Sequence, residues 1–276
     1  MTMRVAILVA LLALAACTDL SPQIRWQHAD QLAEQYGWQK LHIPTDTFIL
    51  TAYVPPITEH VETLTIYIEG DGLAWLDRTQ PSADPTPRNP IGLELALRHP
   101  QGAAAYLARP CQYVEGADRL NCREVFWTSA RFAPEVIASS NQAVGELMHR
   151  VGATRLILVG YSGGGAVAAL VAARRNDVVR LVTVAGNLDH RVWSKLHHVS
   201  PLRGSLNAAD AWRSLVRIPQ LHYVGGRDKN VTRAVTDAYA KRFPSDQQPK
   251  IEVLPNFDHV CCWVKQWGSI WKKGAD

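Results

Sequence analysis

Residues Gly160-Tyr161-Ser162-Gly163-Gly164 form a G-x-S-x-G, with the apolar run Arg155-Leu156-Ile157-Leu158-Val159 before it and an Ala-rich stretch after it. A serine on a strained turn between strand and helix holds its Oγ clear of the backbone, and small neighbours let the chain bend there without Cβ clashes. The start of the following helix leaves backbone N–H groups unpaired, close to where negative charge develops in acyl transfer. A serine hydroxyl is a poor nucleophile near neutral pH, so Ser162 needs a base, and the base needs a carboxylate to orient it. The run Gln220-Leu221-His222-Tyr223-Val224-Gly225-Gly226-Arg227-Asp228 reads as a strand, a Gly turn and an acid just beyond. The run from Lys250 to Leu254, continued by Pro255-Asn256-Phe257-Asp258-His259, sets a histidine in the loop after another strand. Ser162, Asp228 and His259 are therefore the candidate nucleophile, orienting acid and base. Asp189 is the reserve acid. Asp258 adjoins the base, is badly placed to grip the far ring nitrogen, and is read as a loop-shaping residue.

The tetrahedral oxyanion needs hydrogen-bond donors, each worth about a hundredfold or more in rate. The backbone N–H of Gly163 is one candidate. The other is expected from the loop after the early strand Leu64-Thr65-Ile66-Tyr67-Ile68, which continues Glu69-Gly70-Asp71-Gly72-Leu73, with Asp71 at the donor position and Gly72 close behind.

These residues need elements to hold them. Alternating apolar and β-branched residues over 41–54 predict antiparallel strands, and short apolar runs at 64–69, 103–108, 155–160, 180–185, 220–224 and 250–254 predict buried parallel ones. Helical patterns cover 134–151, 164–175, 232–243 and 262–272. Alternation of this kind predicts an α/β architecture, a mostly parallel central sheet flanked by helices. The Pro-rich stretch 77–90 reads as a surface loop, because strand-like sequence flanks it on both sides. Segment 187–217 is short for a cap domain; it holds His190, Trp193, His197, His198 and Trp212, and is expected to border the site mouth.

With these features placed, residues 64–267 resemble the α/β-hydrolase superfamily: oxyanion loop after an early strand, G-x-S-x-G elbow, acid after a later strand, histidine near the end. The resemblance implies the chain order nucleophile, acid, histidine, which excludes His28, His42, His60 and His99 as the base because they precede Ser162. It implies an acyl-enzyme mechanism with no metal or organic cofactor, acting on an ester, thioester, amide or peptide. A small-molecule carboxylic ester is the first expectation and a peptidase or amidase the second; a catalytically silent envelope scaffold is the rival from outside enzymes. One departure stands out. Many relatives have His-Gly after the early strand, whereas this chain has Glu69-Gly70.

The N-terminus carries a different signal. Arg4 precedes the apolar run 5–16, too short to span a bilayer comfortably, and Leu14-Ala15-Ala16-Cys17 resembles the lipobox of bacterial lipoproteins. That resemblance implies a signal peptide over 1–16, a lipidated Cys17 beginning a tether over 17–39, and one hydrolase domain over 40–276. Several acyl chains on one residue suffice for stable anchoring, so the expected location is the bacterial envelope, facing the periplasm. Thr18 directly after Cys17 favours outer over inner membrane.

An exported chain meets oxidising conditions. Of the three pairings open to Cys111, Cys122, Cys261 and Cys262, Cys111 with Cys122 is favoured because it closes a short polar loop. The adjacent pair either stays reduced or forms a vicinal bond. No spacing suits a zinc site. The net charge of +4 is spread along the 276 residues rather than gathered in a block, which speaks against nucleic-acid binding, and 47% hydrophobic content suits one sizeable core. Oligomeric state is not legible.

Overall fold

The computed structural model describes residues 21–56 and 60–273. The apolar N-terminal run and Cys17 lie outside the described residues.

In chain order the main elements begin with helix α1 (Pro22–Gln35), strands β1 (Gln39–Pro44), β2 (Ile49–Val54) and β3 (Thr63–Ile68), helix α2 (Ile91–Leu97) and strand β4 (Ala103–Leu107). Helix α3 (Pro134–Val151), strand β5 (Arg155–Tyr161), helix α4 (Gly163–Ala172) and strand β6 (Val178–Val184) follow. The last part holds helices α5 (His190–Leu196) and α6 (Trp212–Leu215), strand β7 (Gln220–Gly225), helix α7 (Arg233–Ala240), strand β8 (Lys250–Leu254) and helix α8 (Trp263–Lys273).

The eight strands form one sheet in the order β1-β2-β4-β3-β5-β6-β7-β8. Strand β2 runs antiparallel to both β1 and β4, and every pairing from β4 through to β8 is parallel. Because side chains alternate across a strand, Leu64, Ile66 and Ile68 of β3 enter the core under α3 and α4, while Tyr67 enters the core under α1, α2 and α8. Both faces are covered, which is why the parallel strands read as near-continuous apolar runs. The loops that leave the strands at their C-terminal ends carry every candidate residue: Glu69 to Asp71 after β3, Ser162 after β5, Asp228 after β7 and His259 after β8. Strand order reverses at β3, and the crevice beside such a reversal is where open parallel sheets bind ligands.

Two expectations are corrected here. The stretch 17–39 is not a tether throughout, because 22–35 form α1, with Ala29 and Ala33 buried against the sheet. Its buried stripe is narrow and includes Arg25, whose guanidinium bonds the Asp84 side chain at 3.2 Å, so the composition looked solvated. The Pro-rich 77–90 stretch is irregular but not a surface loop throughout, because Ser82, Asp84 and Thr86 are buried, and it runs directly into α2, which the prolines concealed.

Asp84 clamps this loop from two sides, taking Arg25 on one oxygen and Arg119 on the other at 2.5 Å. Thr86 Oγ1 accepts the Trp26 indole N–H at 3.0 Å and the Tyr113 N–H at 2.9 Å. Helix α1 thereby serves as a brace for the loop. Cys111 is bonded to Cys122, and Cys261 to Cys262.

Candidate active site

Strand β5 must turn sharply into α4, and the backbone shows how. Ser162 sits at φ 50°, ψ −121°, a region L residues rarely occupy. Strain of this size costs roughly 1–3 kcal/mol and persists only where the surroundings over-determine it. They do so here: Ser162 N–H donates to Val184 O at 3.0 Å, and Ser162 O accepts from Gly165 at 3.0 Å and Asn187 at 2.9 Å. A Cβ on Gly160 would lie 2.3 Å from Gly164 O, and one on Gly164 would lie 2.3 Å from Ile68 O. The glycines of the motif are required by close backbone approach, as the sequence suggested.

The structure brings the three candidates together. His259 Nε2 lies 3.0 Å from Ser162 Oγ, and His259 Nδ1 lies 2.8 Å from Asp228 Oδ2. The Asp228 side chain is fully buried while that of His259 is 18% exposed, so the acid is sealed behind the base and the base faces the cleft. Asp228 Oδ1 accepts the N–H groups of Asn230 at 2.7 Å and Val231 at 2.9 Å, so one oxygen builds the turn and the other orients the ring. Tyr161 reaches over from the β5–α4 turn and donates its hydroxyl to His259 O at 3.0 Å, tying the histidine loop to the strand that leads into Ser162.

The reserve acid Asp189 and the loop residue Asp258 do other work. Asp189 caps α5, accepting from the N–H groups of Arg191 and Val192 and from the Asn207 amide. Asp258 accepts the N–H groups of Val260 at 2.8 Å and Cys261 at 2.6 Å, shaping the turn just after the base as expected. Among the aromatic residues of 187–217, Trp193 lines the cleft, whereas Trp212 packs on Phe243 at 6.2 Å between centroids and His190 is buried against Phe132.

The loop after β3 forms the facing wall. Glu69 is buried, and both its oxygens are occupied. Oε1 accepts the N–H of Gly70 at 2.8 Å and Gly92 at 3.1 Å; Oε2 accepts the N–H of Leu93 at 3.3 Å and the Tyr106 hydroxyl at 3.1 Å. It thus caps α2 and pins the turn in one group. Burial pushes its pKa up to about 6 against the pull of these four donors. Gly70 N–H is taken by Glu69, whereas the Asp71 N–H has no hydrogen-bond partner among the described residues and so stays the loop's candidate for the second oxyanion donor.

The Asp71 side chain has a role the sequence did not reveal. Its oxygens receive Arg109 Nη1 at 3.0 Å and Arg131 Nη1 at 2.7 Å. Burial works to raise its pKa, but the two guanidiniums prevail and hold it below the usual carboxylate value. Arg109 also donates Nη2 to the Arg131 carbonyl, which locks the two arginines together. A Cβ on Gly163 would fall 2.1 Å from Asp71 Oδ1, so this carboxylate packs directly against the residue after Ser162.

Together these residues line a cleft of about 410 Å³, with walls that include Trp75, Arg88, Arg131, Trp193, Asn230 and Val260. Among the described residues no group of three or more His, Cys, Asp or Glu is arranged to hold a metal ion.

No protein-family model and no curated protein sequence matches the chain. Solved structures do. Est1E from Butyrivibrio proteoclasticus aligns at 14% identity over 86% of this chain and 97% of its own, with a TM-score of 0.59. An esterase from Pyrococcus furiosus aligns at 13% identity over 86% of this chain and 87% of its own, TM-score 0.58. A bacterial membrane phospholipase A aligns at 15% identity over 100% of this chain and 97% of its own, TM-score 0.54. At these identities the likeness establishes the fold, which is the α/β-hydrolase fold.

Proposed function

We propose that this α/β-hydrolase-fold chain is a serine hydrolase that cleaves carboxylic esters of modest size at the bacterial cell envelope. The observation that carries the reading is the continuous hydrogen-bonded chain Ser162 Oγ–His259–Asp228, set on a strained turn at the floor of an open cleft.

In this mechanism Ser162 Oγ attacks the ester carbonyl while His259 Nε2 takes the hydroxyl proton. Asp228 holds the tautomer that leaves Nε2 free to accept, and stabilises the imidazolium that forms. The oxyanion is held by the N–H groups of Gly163, at the start of α4, and Asp71. Collapse of the tetrahedral intermediate breaks the C–O bond, and His259 returns the proton to the departing alcohol. Water then attacks the acyl-enzyme with His259 again as base, freeing the acid and restoring Ser162. Glu69 keeps the Asp71 N–H in place, and its presence where many relatives have histidine follows from its capping of α2.

Est1E with ferulic acid bound and the membrane phospholipase A support the ester reading by analogy only. A cleft of about 410 Å³ suits a small acyl or aryl ester better than two long acyl chains. Mixing with a 4-nitrophenyl ester tests the assignment: release of nitrophenol that is lost in Ser162→Ala supports it, with the corresponding anilide turning over far more slowly, and a burst matching the enzyme concentration would further mark the acyl-enzyme. Equal turnover of anilide and ester would favour an amidase, and no turnover of either would favour the scaffold.

The anchor belongs to the same reading. Cys17 lies outside the described residues, but only four residues, Thr18 to Ser21, separate it from α1. Four extended residues reach about 14 Å, so a lipid on Cys17 would hold the domain close against the membrane. Incorporation of radiolabelled palmitate, abolished in Cys17→Ser, tests this; equal labelling of both chains would contradict it.

A further inference from the structure

The cleft wall includes side chains with unused hydrogen-bond donors, and its carboxylates are already engaged. Both Asp71 oxygens are bound by Arg109 and Arg131, and both Glu69 oxygens by backbone N–H groups and Tyr106. The unused capacity is cationic or amide N–H. Arg131 commits Nε to Thr128 O at 2.8 Å and Nη1 to Asp71, leaving Nη2 without a partner among the described residues. Asn230 must present its oxygen to the Trp193 indole N–H, which can only donate, at 3.2 Å, and so turns its NH2 group outward. Arg88 is exposed at the cleft wall, and makes no ion pair or hydrogen bond among the described residues.

Arg88 is not a loose surface arginine. Its loop is fastened on both sides: Asp84 and Thr86 by α1, Arg119 and Tyr113, and Pro85 by the Leu73 N–H donating to Pro85 O at 3.0 Å. Pro87 and Pro90 restrict the backbone on either side of it. An arginine whose backbone is held in advance has only its side-chain rotamers to order on binding an anion. Arg109 and Arg131 share the carboxylate of Asp71, and the Glu69 carboxylate also acts on Arg109, so this floor is close to charge balance and Arg88 is a cation of the cleft wall left without an ion pair among the described residues.

We propose that the cleft selects esters whose acyl or alcohol part carries an oxyanion, a carboxylate or a phosphate, held between Arg88 and Arg131 with the Asn230 amide as a further donor. The inference rests on the serine-hydrolase reading for its catalytic half but not for its binding half. Trp75 and Trp193 supply the apolar walls for the carbon skeleton, and the Arg131 guanidinium already lies 5.9 Å from the Trp193 ring. Arg88 and Arg131 act here as binding residues that set specificity.

Matched substrates test it. 4-Nitrophenyl hemisuccinate and its uncharged methyl ester share a leaving group and differ in acyl charge; the acetate esters of 3-hydroxybenzoate and 3-hydroxybenzamide do the same on the alcohol side. The charged member of at least one pair should show kcat/KM higher by about tenfold or more, chiefly through KM, and the ratio should shrink as salt is raised. Arg88→Glu should bring that ratio to one or below. A ratio near one in the wild type for both pairs, or one unmoved by Arg88→Glu, overturns the inference while leaving ester hydrolysis standing. Calorimetric titration with succinate and with inorganic phosphate reads the binding half even if no ester is turned over. Binding of either, weakened about tenfold by Arg88→Glu, supports the site and tells which oxyanion it prefers; absence of binding by both contradicts it.

Discussion

The two walls of the cleft are built on different physics. The wall carrying Ser162 and His259 is positioned by shape: glycines that allow backbones to touch, a strained serine, and a loop tied down by Tyr161. The wall carrying Glu69 and Asp71 is positioned by charge, with one buried and one partly buried carboxylate engaged by two arginines, three backbone N–H groups and a tyrosine. The first wall is suited to hold a nucleophile at one distance through a reaction cycle. The second trades stability for a fixed field and a defined set of spare donors. Only two residues apart, Glu69 and Asp71 are shifted in opposite directions, because Glu69 has dipoles for partners and Asp71 has full charges.

If shape and hydrogen bonding set the first wall, damage there should fall on turnover rather than on stability. Ser162→Ala should lower ester turnover by about a millionfold, judged by steady-state kinetics on an activated ester. Asp228→Asn, which keeps the packing but spoils the tautomer, should lower kcat by about ten-thousandfold. A loss under tenfold for Asp228→Asn would mean that the acid does not orient the base.

Damage to the second wall should fall on stability. Asp71→Ala strands Arg109 and Arg131 and should cost about 3–5 kcal/mol in urea denaturation, with part recovered when Arg131→Met is added. An Asp71→Ala protein as stable as wild type would show that the arginines are already neutralised elsewhere. The smallest effect is on pH dependence. Glu69 binds its proton more tightly folded than unfolded, so its contribution is full below the ordinary value of 4.5 and is lost as pH rises through about 6. The loss is about 2 kcal/mol, and Glu69→Gln should flatten the stability curve across that window. Asp71 has the opposite sign, since its lowered pKa gives stability that fades as pH falls below the usual carboxylate range. A curve for Glu69→Gln parallel to wild type between those pH values would remove Glu69 as the source.

The first wall was legible from sequence because its determinants are local. Ser162, Asp228 and His259 each follow an apolar run and a small or turn-forming stretch, and the sheet then brings three strand ends to one edge. The second wall was only partly legible. Glu69 was visible as a departure from the His-Gly of many relatives, yet its capping of α2 depends on a helix that the prolines before it hid. The partners of Asp71 lie 38 and 60 residues away, and no local pattern distinguishes Arg109 and Arg131 from surface arginines. Helix α1 escaped notice for a related reason, since a stripe of two alanines and a buried arginine reads as polar until Asp84 is seen beneath it. The Cys111–Cys122 pairing was readable because a short loop limits the alternatives.

The most direct test of an activated Ser162 needs no knowledge of the substrate. The domain beginning after Cys17 is treated with a fluorophosphonate and mapped by peptide mass spectrometry, in parallel with Ser162→Ala and His259→Ala. The account predicts a single adduct on the Ser162 peptide of the wild type, absent from Ser162→Ala and strongly diminished in His259→Ala. A folded wild-type protein that takes no adduct, or takes it equally without His259, would contradict the account.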